Sequence, residues 1–292
     1  MKSDYLININ GTIGTPDQVK ISVLDRGLLF GDSVYEVTRT YNRRPCLIHE
    51  HLDRLYQSTA RIGITMPCNR SELTGQMQKS LDAFFSKGAR EAYIRIIVTR
   101  GEGEIGLDPD YAEHPNLIII VREQKQNPES WYQQGVKLVI ADILRNPPRS
   151  MDPSVKSGNY LNNLMAFMQA KEQAAFEAVM LNEKGMVTEG TTSNIWLVKN
   201  NIIKTPPLEA GLLSGITRQA VLIQARKNGY VVREENFLPQ ELYSADEVFI
   251  TSSTRELVPV YQIDEHKIDN NVPGSMTLKL LKLYREFLAS NN

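Results

Sequence analysis

The chain is poor in several residue classes, and each shortage excludes something. Its two cysteines, Cys46 and Cys68, are too few for a disulfide scaffold and fit a reducing cytosol, so a cytoplasmic location is expected. Four histidines form no metal-ligand cluster. His49 and His51 in "HEH" stand two apart, which on a helix points them in different directions, and His114 and His266 are isolated. An excess of charge is also missing: 33 basic residues against 34 acidic ones leave no long-range field to draw nucleic acid or an anionic membrane. The longest strongly apolar run, "LIIIV" at 117–121, is far short of a membrane span. The start, "MKSDYLININ", has no apolar core of a signal peptide. What remains is a globular composition, 41% hydrophobic and 23% charged, over 292 residues, enough for one large domain or two ordinary ones.

The order of patterns favours two α+β lobes. In the first, residues 1–122, a hairpin-like "YLININGTIGT" leads through a loop, "DRGLLFGD", into an extended "SVYEVTRTYN". Apolar spacings of three and four predict a helix from about His49 to a stop at Gly63, and a second helix covers about 70–85. Two strands rich in β-branched residues, "AYIRIIVTRG" and "NLIIIVRE", close the lobe. Residues 123–134, polar and broken by a proline, read as a linker. The larger C-terminal lobe, 135–292, begins with "VKLVIADI". Leu161, Leu164, Met165 and Met168 then mark an amphipathic helix. The short strands "EAVMLN", "GMVTEG", "SNIWLV" and "NIIKT" follow, then a helix of about 218–228 and the strand "DEVFITSS". Strands cluster instead of alternating with helices, which argues against a doubly wound sheet.

Three local features carry chemistry, each with a plainer reading beside it. "LLSGITRQAV" puts Gly215, Ile216 and Thr217 in the first turn of a helix, where free N–H groups and the dipole suit a phosphate; alternatively, Ser214 or Thr217 merely caps the helix. "ITSSTREL" adds hydroxyls at a strand end, and Arg54 on "HEHLDRLYQS" either turns inward or stays on the surface. Lys156 in "VKSGNYLNN" has no charged neighbour for six positions after it, and Tyr160 lies four residues on. An amine held away from water can bond an aldehyde; the alternative is an ordinary surface lysine. Glu189 in "MVTEGTTSN" ends a strand beside Gly190, either as a partner for a ring nitrogen or as a turn glutamate. Amine, carboxylate and phosphate donors together are what pyridoxal 5'-phosphate requires.

With "DRGLLFGDSVYEV", "HLDRLYQS", "YIRIIVTRG", "DPSVKSGNYLNN", "VTEGTTSNIWLV", "TPPLEAGLLSGITR" and "ADEVFITSSTRELVPV" in this order, the chain resembles the fold-type IV (class IV) aminotransferases over nearly its whole length. The resemblance implies a two-lobe α+β fold of the D-amino acid aminotransferase type, with pyridoxal phosphate between the lobes. It implies Lys156 as the Schiff-base lysine, carried by the C-terminal lobe, and Arg54 on the phosphate. Tyr160 then faces the ring hydroxyl, Glu189 the pyridine nitrogen, and Leu213 the ring. Gly215, Ile216 and Thr217 form the phosphate cup with Ser252 and Ser253. Substrate contacts fall to Tyr35, Arg39, Tyr93, Arg95 and Thr254. The substrates implied are an amino acid and a 2-oxo acid such as 2-oxoglutarate, and the assembly at least a homodimer.

"YIR", Arg39 and "TPPLEAGLLSGITR" lean towards the branched-chain L-amino acid enzymes. Tyr35, Glu36 and Val37 look more like the D-amino acid enzymes, yet "EGEIGL" after "TRG" lacks the arginine and histidine those enzymes carry there. Aminodeoxychorismate lyase is a third reading, and a non-catalytic cofactor-binding member the alternative outside enzymes.

Overall fold

The computed structural model describes residues 5–268 and 272–291. The chain folds into two compact units, and their division does not follow chain order. The first runs to Lys125 and also takes in Val155–Tyr160; the second is Gln126–Ser154 with Leu161–Asn291.

The first unit contains β1 (Tyr5–Ile9), β2 (Thr12–Gly14), α1 (Arg26–Phe30), β3 (Ser33–Tyr41), β4 (Arg44–Pro45), α2 (Ile48–Arg61), α3 (Arg70–Phe85), β5 (Ala92–Thr99) and β6 (Asn116–Glu123). Its strands form one sheet in the order β2-β1-β6-β5-β3-β4, antiparallel throughout. The alternation legible in β5 and β6 sorts side chains between two faces. Ile94, Ile96 and Val98 join Leu117, Ile119 and Val121 in a core with Leu52 and Leu55 of α2 and Leu73, Met77 and Leu81 of α3. Tyr93, Arg95 and Ile97 point to the other face, which stays half-buried. The segment expected as a loop, 25–32, holds α1. Asp25 caps it by accepting from the Gly27 N–H at 2.7 Å, and also accepts from Thr99 Oγ1 and Asn116 Nδ2. A buried carboxylate with this many donors fixes the turn.

The second unit contains α4 (Glu129–Gln134), β7 (Val136–Ile140), α5 (Leu161–Glu172), β8 (Glu177–Leu181), β9 (Val187–Gly190), β10 (Asn194–Lys199), β11 (Ile202–Thr205), α6 (Ile216–Lys227), β12 (Val232–Glu234), α7 (Pro239–Tyr243), β13 (Glu247–Ser252), β14 (Glu256–Ile263), β15 (His266–Lys267) and α8 (Ser275–Asn291). A nine-stranded mixed sheet runs β12-β11-β10-β13-β14-β7-β8-β9, with β15 on β14. Both units are α+β, as the clustering of strands in the sequence implied.

Three differences from the sequence reading have physical causes. Residues 123–134 are not a plain linker: Glu123 ends β6, and Glu129–Gln134 is helical, with Trp131 edge-on to Phe176 at 4.9 Å. The stripe Leu161, Leu164, Met165 and Met168 of α5 is exposed, while Asn163, Ala166 and Ala170 face inward. Alanines let the helix sit close on Ala178 and Met180 of β8. Finally, Lys156 belongs with the first unit instead of the C-terminal lobe, because its segment is hydrogen-bonded to β3.

Candidate active site

The lysine segment lies along the start of β3. The Tyr35 N–H donates to the Lys156 carbonyl at 2.9 Å, and the Gly158 N–H to the Ser33 carbonyl at 2.7 Å. The Lys156 N–H reaches Ser58 Oγ on α2 at 3.3 Å. A Cβ on Gly158 would fall 2.0 Å from Ser33 Oγ, so any larger residue has to displace that buried hydroxyl. Pinned in this way, the Lys156 amine lies 4.6 Å from the centroid of the Tyr35 ring and 5.9 Å from that of Tyr160. The two rings meet edge-on at 5.8 Å. The Arg95 guanidinium carbon sits 3.9 Å from the same Tyr35 ring. One buried tyrosine therefore gathers the amine, a second phenol and a cation able to read a carboxylate.

The other residues expected to contact substrate follow by register. Arg39 pairs with Tyr93 and Val37 with Arg95 across β3 and β5, so Arg39 and Tyr93 continue outward along the half-buried face. There Arg39 stacks on Tyr41 at 4.4 Å, and Tyr93 is covered by Arg122 at 4.2 Å. Arg54 does turn inward, but onto a residue of β3. Its Nε and Nη2 hold Glu36 at 2.6 and 2.8 Å, and His51 Nδ1 meets the same carboxylate at 2.7 Å.

In the second unit Glu189 is buried and surrounded by donors. Arg145 Nε donates to it at 2.9 Å, the Leu213 N–H at 3.0 Å and Asn194 Nδ2 at 3.5 Å. Arg145 thus supplies the counter-charge that a buried carboxylate needs. Asn194 Nδ2 also donates to the Leu213 carbonyl at 2.9 Å, which fixes residue 213 just before α6. The helix begins with Gly215 as N-cap, no side-chain cap and no acidic residue in its first turn. Ser214 does not cap it, because its hydroxyl accepts from Gln219 at 3.1 Å instead. A Cβ on Gly215 would lie 1.9 Å from Asn194 Oδ1, so a larger residue would have to displace an amide that is held to the Leu213 carbonyl. Thr217, in the first turn, is buried, with its hydroxyl 3.5 Å from that of Tyr284 on α8.

Ser252, Ser253 and Thr254 turn between β13 and β14 under the control of Arg255. That residue donates to Ser252 Oγ at 2.9 Å and to the Thr192 carbonyl and hydroxyl at 3.0 and 2.7 Å. The Thr254 carbonyl accepts from Asn127 at 2.9 Å. Buried Glu177 braces the neighbouring 191–193 turn through Thr191, Thr192 and Ser193. Sequence reasoning missed Glu36, His51, Arg145, Glu177, Asn194 and Arg255. One signal was available: "EAVML" opens a fully apolar strand with a carboxylate, which is rarely buried without partners.

These donor sets fit pyridoxal phosphate. The amine is shielded by aromatic rings, the carboxylate has its own cation, and the start of α6 has no acidic or capping side chain in the way of a phosphate. A family model described as amino-transferase class IV matches residues 33–263, and the chain belongs to that family. It is a transaminase that works with pyridoxal phosphate, and its fold is that of the type IV aminotransferases. A protein of Methanocaldococcus jannaschii, provisionally named a branched-chain-amino-acid aminotransferase, is 38% identical over 96% of this chain and 95% of its own. The D-alanine aminotransferase of Bacillus licheniformis is 37% identical over 92% of each. Among solved structures, the branched-chain aminotransferase of Thermoproteus uzoniensis with norvaline superposes with a TM-score of 0.89. It is 28% identical, over 98% of this chain and 95% of that one.

Proposed function

We propose that the enzyme moves the amino group of a branched-chain L-amino acid to a 2-oxo acid such as 2-oxoglutarate. The observation that carries this reading is the Tyr35 cluster, where Arg95 at 3.9 Å and Lys156 at 4.6 Å share one ring. A substrate carboxylate drawn to Arg95 brings its α-carbon towards the amine. Arg39 and Tyr93 extend the same face. The bound cofactor supplies an electron sink for charge developing at that carbon. Lys156 would carry the proton to and from the α-carbon. Glu189, with Arg145 as its counter-charge, would face the ring nitrogen, Tyr160 the ring hydroxyl and Leu213 the ring. Arg54, the first turn of α6 at 215–217, Ser252 and Ser253 would hold the phosphate, and Thr254 would border the substrate. Relatives named for branched-chain substrates support this reading.

A second reading, a D-amino acid aminotransferase, is favoured by the similarity to the Bacillus licheniformis enzyme and by Tyr35, Glu36 and Val37. The stretch Glu102–Leu107 offers no arginine or histidine for it. A panel of donors with 2-oxoglutarate and pyruvate separates the two. L-Leucine, L-isoleucine and L-valine should react and D-alanine should not; D-alanine or D-glutamate turnover with inert L-leucine reverses the assignment.

A homodimer is part of the same reading. Each unit leaves apolar side chains in water: Leu28, Leu29, Phe30, Ile105 and Leu107 in the first, and Leu161, Leu164, Met165, Phe167 and Met168 in the second. Surfaces of this kind favour association. Sedimentation should give at least twice the 33.1 kDa chain mass, and a monomer at micromolar concentration rules the dimer out. A cytoplasmic location fits two cysteines that form no disulfide. Among the described residues no helix is long and apolar enough to cross a membrane.

A further inference from the structure

His51, Arg54 and Ser58 recur at spacings of three and four along α2, and all three are buried. That spacing puts them on one stripe of the helix. Ser58 meets the backbone of Lys156 at 3.3 Å. The other two converge on Glu36, whose side chain leaves β3 on the face opposite Tyr35. Glu36 and His51 are each 1% exposed and Arg54 is 8% exposed, so the cluster is closed to water.

The arginine grips the carboxylate side-on, with Nε on one oxygen and Nη2 on the other. This two-point contact fixes the plane of the guanidinium and hence the direction of its remaining N–H groups. His51 in turn fixes the carboxylate. A carboxylate only accepts, so Nδ1 must carry the hydrogen in the 2.7 Å contact. Burial, opposed by Glu36, holds the His51 ring below its ordinary pKa, which favours the neutral ring with a single donor. A buried ion pair adds little stability over apolar packing of the same volume. Its distinctive contribution here is orientation.

We propose that Glu36 and His51 are positioning residues that aim Arg54 at the phosphate of the cofactor, through the contacts His51 Nδ1–Glu36 and Glu36–Arg54. The proposal rests on the reading of Arg54 as a phosphate ligand. It makes α2 the element that sets the phosphate arginine and the Lys156 backbone at a fixed spacing.

The test titrates apoprotein with pyridoxal phosphate and, separately, with pyridoxal, which lacks the phosphate. Glu36→Gln should weaken pyridoxal phosphate by ~10- to 100-fold, the range seen when an outer partner of a ligating residue is removed. Pyridoxal binding should change by no more than about twofold, and Glu36→Gln should add nothing in an Arg54→Met background, as expected for a group acting only through Arg54. His51→Asn, whose amide can replace the Nδ1 donor, should stay near wild type, whereas His51→Leu should resemble Glu36→Gln. Wild-type affinity in Glu36→Gln overturns the proposal, as does an equal loss of pyridoxal and pyridoxal phosphate. If Glu36→Gln does not fold, the His51 pair decides: equal affinities in His51→Asn and His51→Leu overturn it. Wild-type affinity in Arg54→Met fails the underlying phosphate assignment, a result distinct from either.

Discussion

At the scale of single residues, the most demanding proposed role is that of Lys156. Its amine lies among Tyr35, Tyr160 and the start of β3. Lys156→Ala should therefore lower kcat by several orders of magnitude, since both the covalent attachment and the proton carrier are lost. Borohydride reduction of wild-type holoenzyme followed by peptide mapping should label Lys156; a label on another lysine refutes the role. Lys156 and Glu189 were legible because composition isolates them: one sits in a stretch of amides, the other against Gly190. The cations that face buried carboxylates were not paired with them. Arg145 meets Glu189 across 44 positions and Arg54 meets Glu36 across 18. No local pattern encodes either pairing, because one joins a loop residue to β9 and the other joins α2 to β3.

At the scale of elements, spacing gave identity more readily than environment. α3 was readable from Arg70 to Phe85, and the structure adds a reciprocal capping box between Asn69 and Glu72. The apolar period of α5 was equally clear, yet it faces water and the alanines face β8. Periodicity names an apolar stripe without saying what covers it. α8 was overlooked although Leu280, Leu281, Tyr284 and Leu288 keep a helical period and are buried. Two glycines make the difference in environment measurable. Gly75 is exposed within α3, and a Cβ there meets nothing within 4 Å. Gly75→Ala should stabilise the protein by about 0.5–1 kcal/mol through helix propensity, read as a higher Tm at full activity. Gly158→Ala should do the reverse. Its Cβ would strike Ser33 Oγ and push the lysine segment off β3, at about 1–3 kcal/mol and with loss of cofactor bonding. Unchanged activity in Gly158→Ala would show that the segment can shift without harm.

At the scale of the whole molecule, buried charge sets the pH range of the fold. Burial alone would raise the pKa of Glu36, but Arg54 and His51 outweigh it and bring it down from 4.5 to about 2. Its contribution is complete above 4.5 and lost as pH falls towards 2. His51, lowered from 6.5, acts in the same direction: the folded protein prefers it neutral, so acid below 6.5 favours unfolding. At the alkaline end Tyr243 is raised from 10.0 to about 12 by burial and its bond to Asp264, so its contribution is present below 10 and lost as pH rises through 12. Urea midpoints should fall steeply below pH 4.5 in wild type and less steeply in Glu36→Gln; parallel curves would remove Glu36 from this account. The layout of the two units has a consequence for the order of synthesis. The chain passes between them at 125–126, 154–155 and 160–161. A ribosome that has completed β6 has made every strand of the first sheet, but not the piece that covers the open edge of β3 at Ser33–Tyr35. That edge keeps its unpaired backbone groups while α4 and β7 are added. Lys156, the proposed Schiff-base lysine, is also part of the last segment needed to finish the first-made half.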